Sequence, residues 1–239
     1  MNRNINGFIL ICMLLLVLSS CQKQKYYYDT GLSKAAYNGT VMDYLENNPY
    51  HLFDSVVKVI KLAGMENVFQ SDSITFFAPA DTCIYASIAN LNSQLVSRGK
   101  DTISDLAQLS PEFWKEEISL YLFSGVHRLK DYPQIDPSNM QVFPGGYYPS
   151  YNGKVMHVGV IFNTVNGVQY AGYRQLMIDY FTGSTPPTGY LTWQTLVASS
   201  DINPSNGIVH VLQYPSHFFG FNPSDFANEA IAKGIDYTK

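Results

Sequence analysis

Only three cysteines occur in the 239-residue chain, Cys12, Cys21 and Cys83, so no framework of several disulfides can hold it together. Charge is also sparse. The 15 basic residues are outnumbered by 19 acidic ones, the net charge is −4, and no basic run is present, which leaves no electrostatic footprint for nucleic acid. The longest apolar run, Phe8 to Leu18, has about 11 residues, whereas a helix needs roughly 20 to cross a bilayer. The five histidines, His51, His127, His157, His210 and His217, show no ligand pairing and no His-Glu-x-x-His helix, so no metal is expected. A Gly-x-Ser-x-Gly elbow, a Gly-x-x-x-x-Gly-Lys loop and a dinucleotide glycine fingerprint are all missing. The reading is a protein without cofactor that binds rather than catalyses. Aromatic residues, by contrast, are abundant, with 18 tyrosines and 14 phenylalanines, more than a disordered chain carries.

The start of the chain has an export pattern: Arg3, the apolar run, then Gln22, Lys23, Gln24 and Lys25. Leu18, Ser19, Ser20 and Cys21 at its end resemble the lipobox of bacterial lipoproteins. By that resemblance residues 1–20 are a signal peptide and Cys21 is the lipidated mature N-terminus. Each buried acyl methylene contributes about 0.8 kcal/mol, so several chains hold lastingly and the protein is anchored to a membrane without spanning it. Residues 21–37, with Tyr26, Tyr27 and Tyr28, read as a tether. Cys12 leaves with the signal and Cys21 is consumed by lipid, so Cys83 is the one remaining thiol. It lies in an apolar helical stretch and is expected to be a small buried hydrophobe.

Local patterns then place the elements. Thr40 and Asp43 form a capping-box start. Leu52, Phe53, Val56, Val57 and Ile60 give a helical stripe that Gly64 stops. Ile74 to Ala78 is a β-branched and aromatic strand, after which Asp81 is expected to cap a helix bearing Ile84, Ile88, Leu91 and Leu95. Ser110, Pro111 and Glu112 begin another helix, whose stripe of Phe113, Trp114, Ile118, Tyr121 and Leu122 runs to near Gly125. Beyond it, short alternating segments predict strands at 154–162, 168–173, 175–181, 191–197 and 208–214, with a tight turn at Asn166-Gly167. Helices followed by strands indicate an α+β domain.

Two separated motifs resemble the fasciclin family. Thr75, Phe76, Phe77, Ala78, Pro79, Ala80 and Asp81 look like its first box, and Asn206, Gly207, Ile208, Val209, His210 and Val211 look like its second. At 120–125 the family's tyrosine-histidine pair is represented by Tyr121 and Leu122, so the ligand role of that pair is not carried over. The resemblance implies a single fasciclin-like domain over 38–220, a wedge of two small β-sheets with helices packed along one side. Residues 133–195 look like an elaboration and 221–239 like a C-terminal tail.

His210 alternates with Ile208 and Leu212 along one strand and reads as a buried, hydrogen-bonded structural histidine. Tyr147, Tyr148 and Tyr151, beside Gly145, Gly146 and Pro149, are the candidate binding surface, since tyrosine joins an apolar face to a polar hydroxyl suited to sugars or protein partners. The alternative is that they cover a sheet edge. Asp72-Ser73-Ile74 and Asp101-Thr102-Ile103 resemble the short O-glycosylation pattern of Bacteroidota. The expectation is an outer-membrane lipoprotein at the cell surface, acting in adhesion or beside a TonB-dependent transporter in glycan or peptide uptake. A structural envelope protein, or an enzyme acting on glycans or peptides, is the alternative.

Overall fold

A computed structural model describes residues 36–180, 193–214 and 217–239. The expected signal peptide, Cys21 and Tyr26 to Tyr28 lie outside the described residues, as does the stretch 181–192 of the elaborated region. At Thr40 the backbone is extended, and the two halves of the capping box are formed: Thr40 Oγ1 accepts the Asp43 amide at 3.1 Å and Asp43 Oδ2 accepts the Thr40 amide at 2.7 Å. Helix α1 (Val41–Glu46) starts there. Helix α2 (Asp54–Leu62) buries Val56, Val59 and Ile60, and Gly64 follows it in the left-handed conformation. The short α3 (Glu66–Ser71), which periodicity did not reveal, buries Phe69.

Strand β1 (Ile74–Ala78) is buried along its whole length, and α4 (Asp81–Ser97) follows. Asp81 does not cap α4: the cap position is Ala80, which makes no side-chain bond. Instead its Oδ1 accepts the Ser55 and Val56 amides at 2.9 and 3.1 Å, capping α2, whose own cap residue Phe53 has no side-chain acceptor. The Asp81 amide donates to Leu52 O at 2.9 Å and thereby holds the carboxylate over that helix end. Asp81→Ala is expected to cost about 1–2 kcal/mol, read as a lower denaturation midpoint. Cys83 is 1% exposed and burial pushes its thiol up to about 11, which leaves it unreactive at neutral pH.

Ser110 Oγ accepts the Phe113 amide at 3.2 Å and opens α5 (Pro111–Ser119). The helix stops short of the expected Gly125. Residues β2 (Leu122–Ser124) turn into an antiparallel partner for the otherwise open edge of β1, with Ile74 opposite Ser124 and Phe76 opposite Leu122. The remaining strands are β3 (Gln134–Ile135), β4 (Gly146–Pro149), β5 (Val155–Phe162), β6 (Arg174–Tyr180), β7 (Gln194–Ile202) and β8 (Gly207–Leu212). Their order is β2-β1-β8-β7-β6-β5-β3, with β4 also on β5. The expected two small sheets are therefore one hydrogen-bonded path. β7 pairs with β6 through Thr195 and Leu196 and with β8 from Val197 to Ile202, and register shifts along that second stretch bend it.

The turn at Asn166 (φ 50°) and Gly167 (φ 76°) is present, closed by a bridge between Val165 and Val168. Residues 168–173 do not continue as a strand. They belong to the β5–β6 connection, which ends where Arg174 lays its guanidinium 3.6 Å from the Phe162 ring centroid. Residues 221–239, set apart by sequence as a tail, carry α6 (Pro223–Lys233). Asn222 Oδ1 accepts the Ser224 and Asp225 amides, and Phe226, Ala227 and Ala230 are buried, with the Phe226 ring 5.0 Å from Phe113. The helices and the β1–β8 half of the sheet close on one core, which includes Phe53, Phe76, Trp114, Tyr121 and Phe219. Tyr121 is fully buried: its hydroxyl accepts the Gly220 amide at 2.9 Å and bonds His217 Nε2 at 2.7 Å. A histidine from another part of the chain thus meets Tyr121, while Leu122 packs in the core.

Candidate functional site

Adjacent residues on a strand face opposite ways, and β4 separates the tyrosines of the candidate surface accordingly. Tyr147 lies opposite His157 of β5, ring on ring at 4.5 Å with an interplanar angle of 8°. Tyr148 faces the other side, packs against the core and meets Tyr132 edge to face at 5.2 Å. Tyr151, at the turn after β4, is 39% exposed. The structure therefore brings Tyr148 and Tyr151 together and leaves Tyr147 across the sheet.

Tyr148 and Tyr151 line a cleft of about 300 Å³ together with Phe123, His127 and Tyr132. Its remaining lining, Ser124, Pro149 and Ser150, adds no charged side chain. Among the described residues, no group hydrogen-bonds the hydroxyls of Tyr132, Tyr148 or Tyr151. Tyr132 is only 7% exposed, and its hydroxyl, which has no partner among the described residues, keeps its contact with solvent through the cleft. Burial raises the Tyr132 pKa, so its hydroxyl keeps its proton and can both donate and accept. His127 Nε2 donates to Ser124 O at 3.1 Å, which leaves Nδ1, an acceptor in the neutral ring.

The residues of the two sequence boxes lie behind this cleft. Phe77 packs on Phe123 at 5.6 Å, Tyr132 at 6.1 Å and His210 at 4.9 Å. His210 is fully buried. Its Nε2 donates to His127 O at 3.0 Å and its Nδ1 accepts the Asp201 amide at 3.2 Å, while burial lowers its pKa to about 4 and keeps the ring neutral. It thereby fixes the backbone that carries His127 into the cleft. Ala78 and Pro79 are buried at the end of β1. Asn206 ties three elements: Oδ1 accepts the Val41 amide at 2.8 Å, and Nδ2 donates to Phe69 O and Asp72 O at 3.2 and 3.0 Å. Gly207 lies directly on the Ile74 carbonyl. None of these residues faces the cleft, and all support its walls or the sheet behind it.

A wider groove of about 890 Å³ runs past Tyr37, Arg128, Asn203 and Asn206. Two of its polar side chains are engaged within the fold, Asn206 as above and Arg128 by a 2.9 Å bond to Asn203 Oδ1. The smaller cleft differs in its aromatic lining, with Phe123, Tyr132, Tyr148 and Tyr151 around it. Ser73 and Thr102 of the two glycosylation-like patterns are exposed in loops.

On the opposite face, Tyr147, His157 and Asp179 stand in one cross-strand row. His157 Nε2 donates to Pro144 O at 2.6 Å, and Asp179 Oδ1 accepts the Trp193 amide at 2.9 Å. Burial pushes Asp179 up to about 6. The folded pKa thus exceeds the unfolded 3.8, so the folded state pays for ionisation: the penalty is full above pH 6 and gone below about 3.8. Asp179→Asn retains the acceptor for Trp193 and is expected to be more stable than the parent at pH 8, by about 1–3 kcal/mol. That gain should shrink as pH falls from 6 to 4, and thermal midpoints at pH 8 and pH 4 check it. An equal gain at both would remove burial of the charge as its cause.

No family model and no curated protein sequence matches the chain. Among solved structures it is similar to the FAS1 domain pair of the insect cell adhesion molecule fasciclin I, with 17% identity and a TM-score of 0.46. The alignment covers 74% of this chain and 50% of that one, so the chain spans about half the length of the structure it resembles.

Proposed function

We propose that this chain is a non-catalytic, fasciclin-like binding module held at the outer membrane by lipid on Cys21, with the cleft between Tyr132, Tyr148 and Tyr151 as its ligand site. One observation carries the reading of the cleft: the Tyr132 ring is held by packing, with the residue 7% exposed, while its hydroxyl, without a partner among the described residues, opens into an aromatic recess lined by no Asp, Glu, Lys or Arg. A few polar groups turned to the opening of an otherwise apolar recess are what a preformed ligand pocket uses to orient its ligand.

The fasciclin-like assignment is supported by the side-by-side pairing of the two sequence boxes. β1 and β8 run parallel with Thr75 opposite Ile208, Phe77 opposite His210 and Ala78 opposite Val211. The lipid anchor is supported by the run from Phe8 to Cys21 alone. Within this reading the module serves adhesion, or stands beside a TonB-dependent transporter of a Bacteroidota envelope and receives a glycan or peptide. A purely structural envelope role is the second reading, favoured by the stacking of the half-buried Tyr147 on His157. Catalysis on glycans finds no carboxylate pair in the cleft lining.

The test is palmitate labelling combined with protease shaving and crosslinking on intact cells. The parent is expected to take up label and to be released by protease, while Cys21→Ala is unlabelled. Crosslinks to an outer-membrane transporter support the uptake role. An unlabelled parent removes the lipid anchor, and protection from protease without crosslinks moves the assignment to periplasmic envelope structure.

A further inference from the structure

Resting on the reading of the cleft as a ligand site, we infer that its ligand is a neutral saccharide, bound through a single sugar ring. Three features of the recess select this chemistry. First, Phe123, His127, Tyr132, Tyr148 and Tyr151 line it without a single Asp, Glu, Lys or Arg. A phosphate or carboxylate would give up its water with no Lys or Arg to receive it, which disfavours both as the seated moiety.

Second, the free groups are of the kind a polyol needs. The hydroxyls of Tyr132, Tyr148 and Tyr151 have no partner among the described residues and each can donate and accept, while His127, with Nε2 committed to Ser124 O, adds an acceptor at Nδ1. A sugar ring presents neighbouring hydroxyls that also do both. A purely apolar ligand would leave the Tyr132 hydroxyl buried and unsatisfied, which penalises it. Third, the aromatic faces supply the apolar half of the recognition. The Tyr132 and Tyr148 rings stand at 80° to each other, so the recess offers a ring face and a ring edge at once. The C–H face of a sugar is complementary to the negative face of an aromatic ring. At about 300 Å³ the recess is at the small end of ligand pockets, which suits one ring with the rest of a chain left outside.

The recess is also held rigidly, so little ordering has to accompany binding. Phe77 supports Phe123 and Tyr132 from behind, and His210 fixes the His127 carbonyl at 3.0 Å. The Tyr151 amide donates to Leu122 O at 2.7 Å, which ties the turn after β4 to β2 across the cleft.

The experiment is saturation-transfer-difference NMR on the full-length protein. The probes are the methyl β-glycosides of glucose, galactose, mannose and N-acetylglucosamine, and the neutral blocked peptide acetyl-Pro-Tyr-Pro-amide. At least one glycoside is expected to receive saturation at its ring C–H protons. Tyr132→Phe, which removes only a hydroxyl, should weaken that glycoside about 3- to 10-fold, and Tyr148→Ala should abolish the transfer. Thermal midpoints of both variants show whether a loss reflects unfolding. Tyr147→Ala, on the other side of β4, should leave binding unchanged. Saturation of the peptide alone, lost in Tyr148→Ala, overturns the saccharide assignment and leaves the cleft as a binding site. Saturation of neither class overturns both. Glycoside binding that Tyr132→Phe and Tyr148→Ala leave intact overturns the placement at this cleft.

Discussion

Phe77→Ala should lower the free energy of unfolding by about 3–5 kcal/mol, the cost of deleting a wholly buried phenylalanine that its neighbours cannot collapse to replace. Phe77 is 0% exposed, lies in β1 between β2 and β8, and touches Phe123, Tyr132 and His210. These belong to three different segments, so none can move into the void without breaking its own contacts. His210 is least able to move, because both ring nitrogens are engaged. In a domain of this size the thermal midpoint should fall by about 10 °C or more, and urea denaturation gives the free energy directly. Phe77→Leu, which keeps most of the volume, should lose clearly less. A loss below about 1 kcal/mol in the alanine variant would mean that the aromatic layer behind the cleft does not pack as described. Because two of the contacted residues line the cleft, the same substitution should weaken any ligand bound there.

Gly207→Ala should be nearly as damaging, at about 3 kcal/mol, the upper end of what overpacking costs. A Cβ at this position falls on the carbonyl oxygen of Ile74. The obstacle is backbone, which has no rotamer to escape into, and it sits in the register pair that begins the parallel β1–β8 ladder. Relief requires parting the two strands, which weakens the pairs from Thr75–Ile208 onward. Gly153 is the control: it has a φ of +81° but nothing near its added Cβ, so Gly153→Ala should show only the modest cost of left-handed strain. Equal losses in the two variants would remove the close approach at Gly207 as the cause.

How much of this was legible in the sequence depended on how local the cause was. The capping box at Thr40 and Asp43, the Ser110-Pro111 start and the Asn166-Gly167 turn are fixed by neighbours within four residues, and they formed where the sequence placed them. Asp81 shows where local reading stops. Its position invited the role of cap to the following helix, but its amide bond to Leu52 hands the carboxylate to a helix that begins 27 residues earlier in the chain. The end of α5 is similar: Tyr121 and Leu122 continue its apolar stripe, yet the unpaired edge of β1 draws Leu122 to Ser124 into the sheet. The stripe and the strand bury the same side chains, so periodicity could not tell them apart.

The candidate site was legible in part. Tyr148 and Tyr151 were found through their composition, but no strand was expected before residue 154, which hid the alternation that sends Tyr147 to the other face. Tyr132, His127 and Phe123 carry no mutual spacing that would single them out. They meet Tyr148 only because β2 and the segment after it lie against β4, an adjacency created by tertiary packing. His210 was readable because strand alternation alone placed it with Ile208 and Leu212.

The parallel pairing of β1 with β8 has a further consequence, for the order in which the chain can fold. Ile74 to Ala78 find their second neighbour only at Gly207 to Val211, after nearly all of the intervening chain. Closing so long a loop before any pairing is gained makes folding slow. Until it closes, a strand of the sequence Ile-Thr-Phe-Phe-Ala keeps one edge open, a template for another chain to pair with. During that interval β2, whose preceding residue Tyr121 accepts the Phe77 amide 44 residues on, is the nearer partner that β1 has, which makes the short stretch from Leu122 to Ser124 a guard against aggregation as much as a part of the finished sheet.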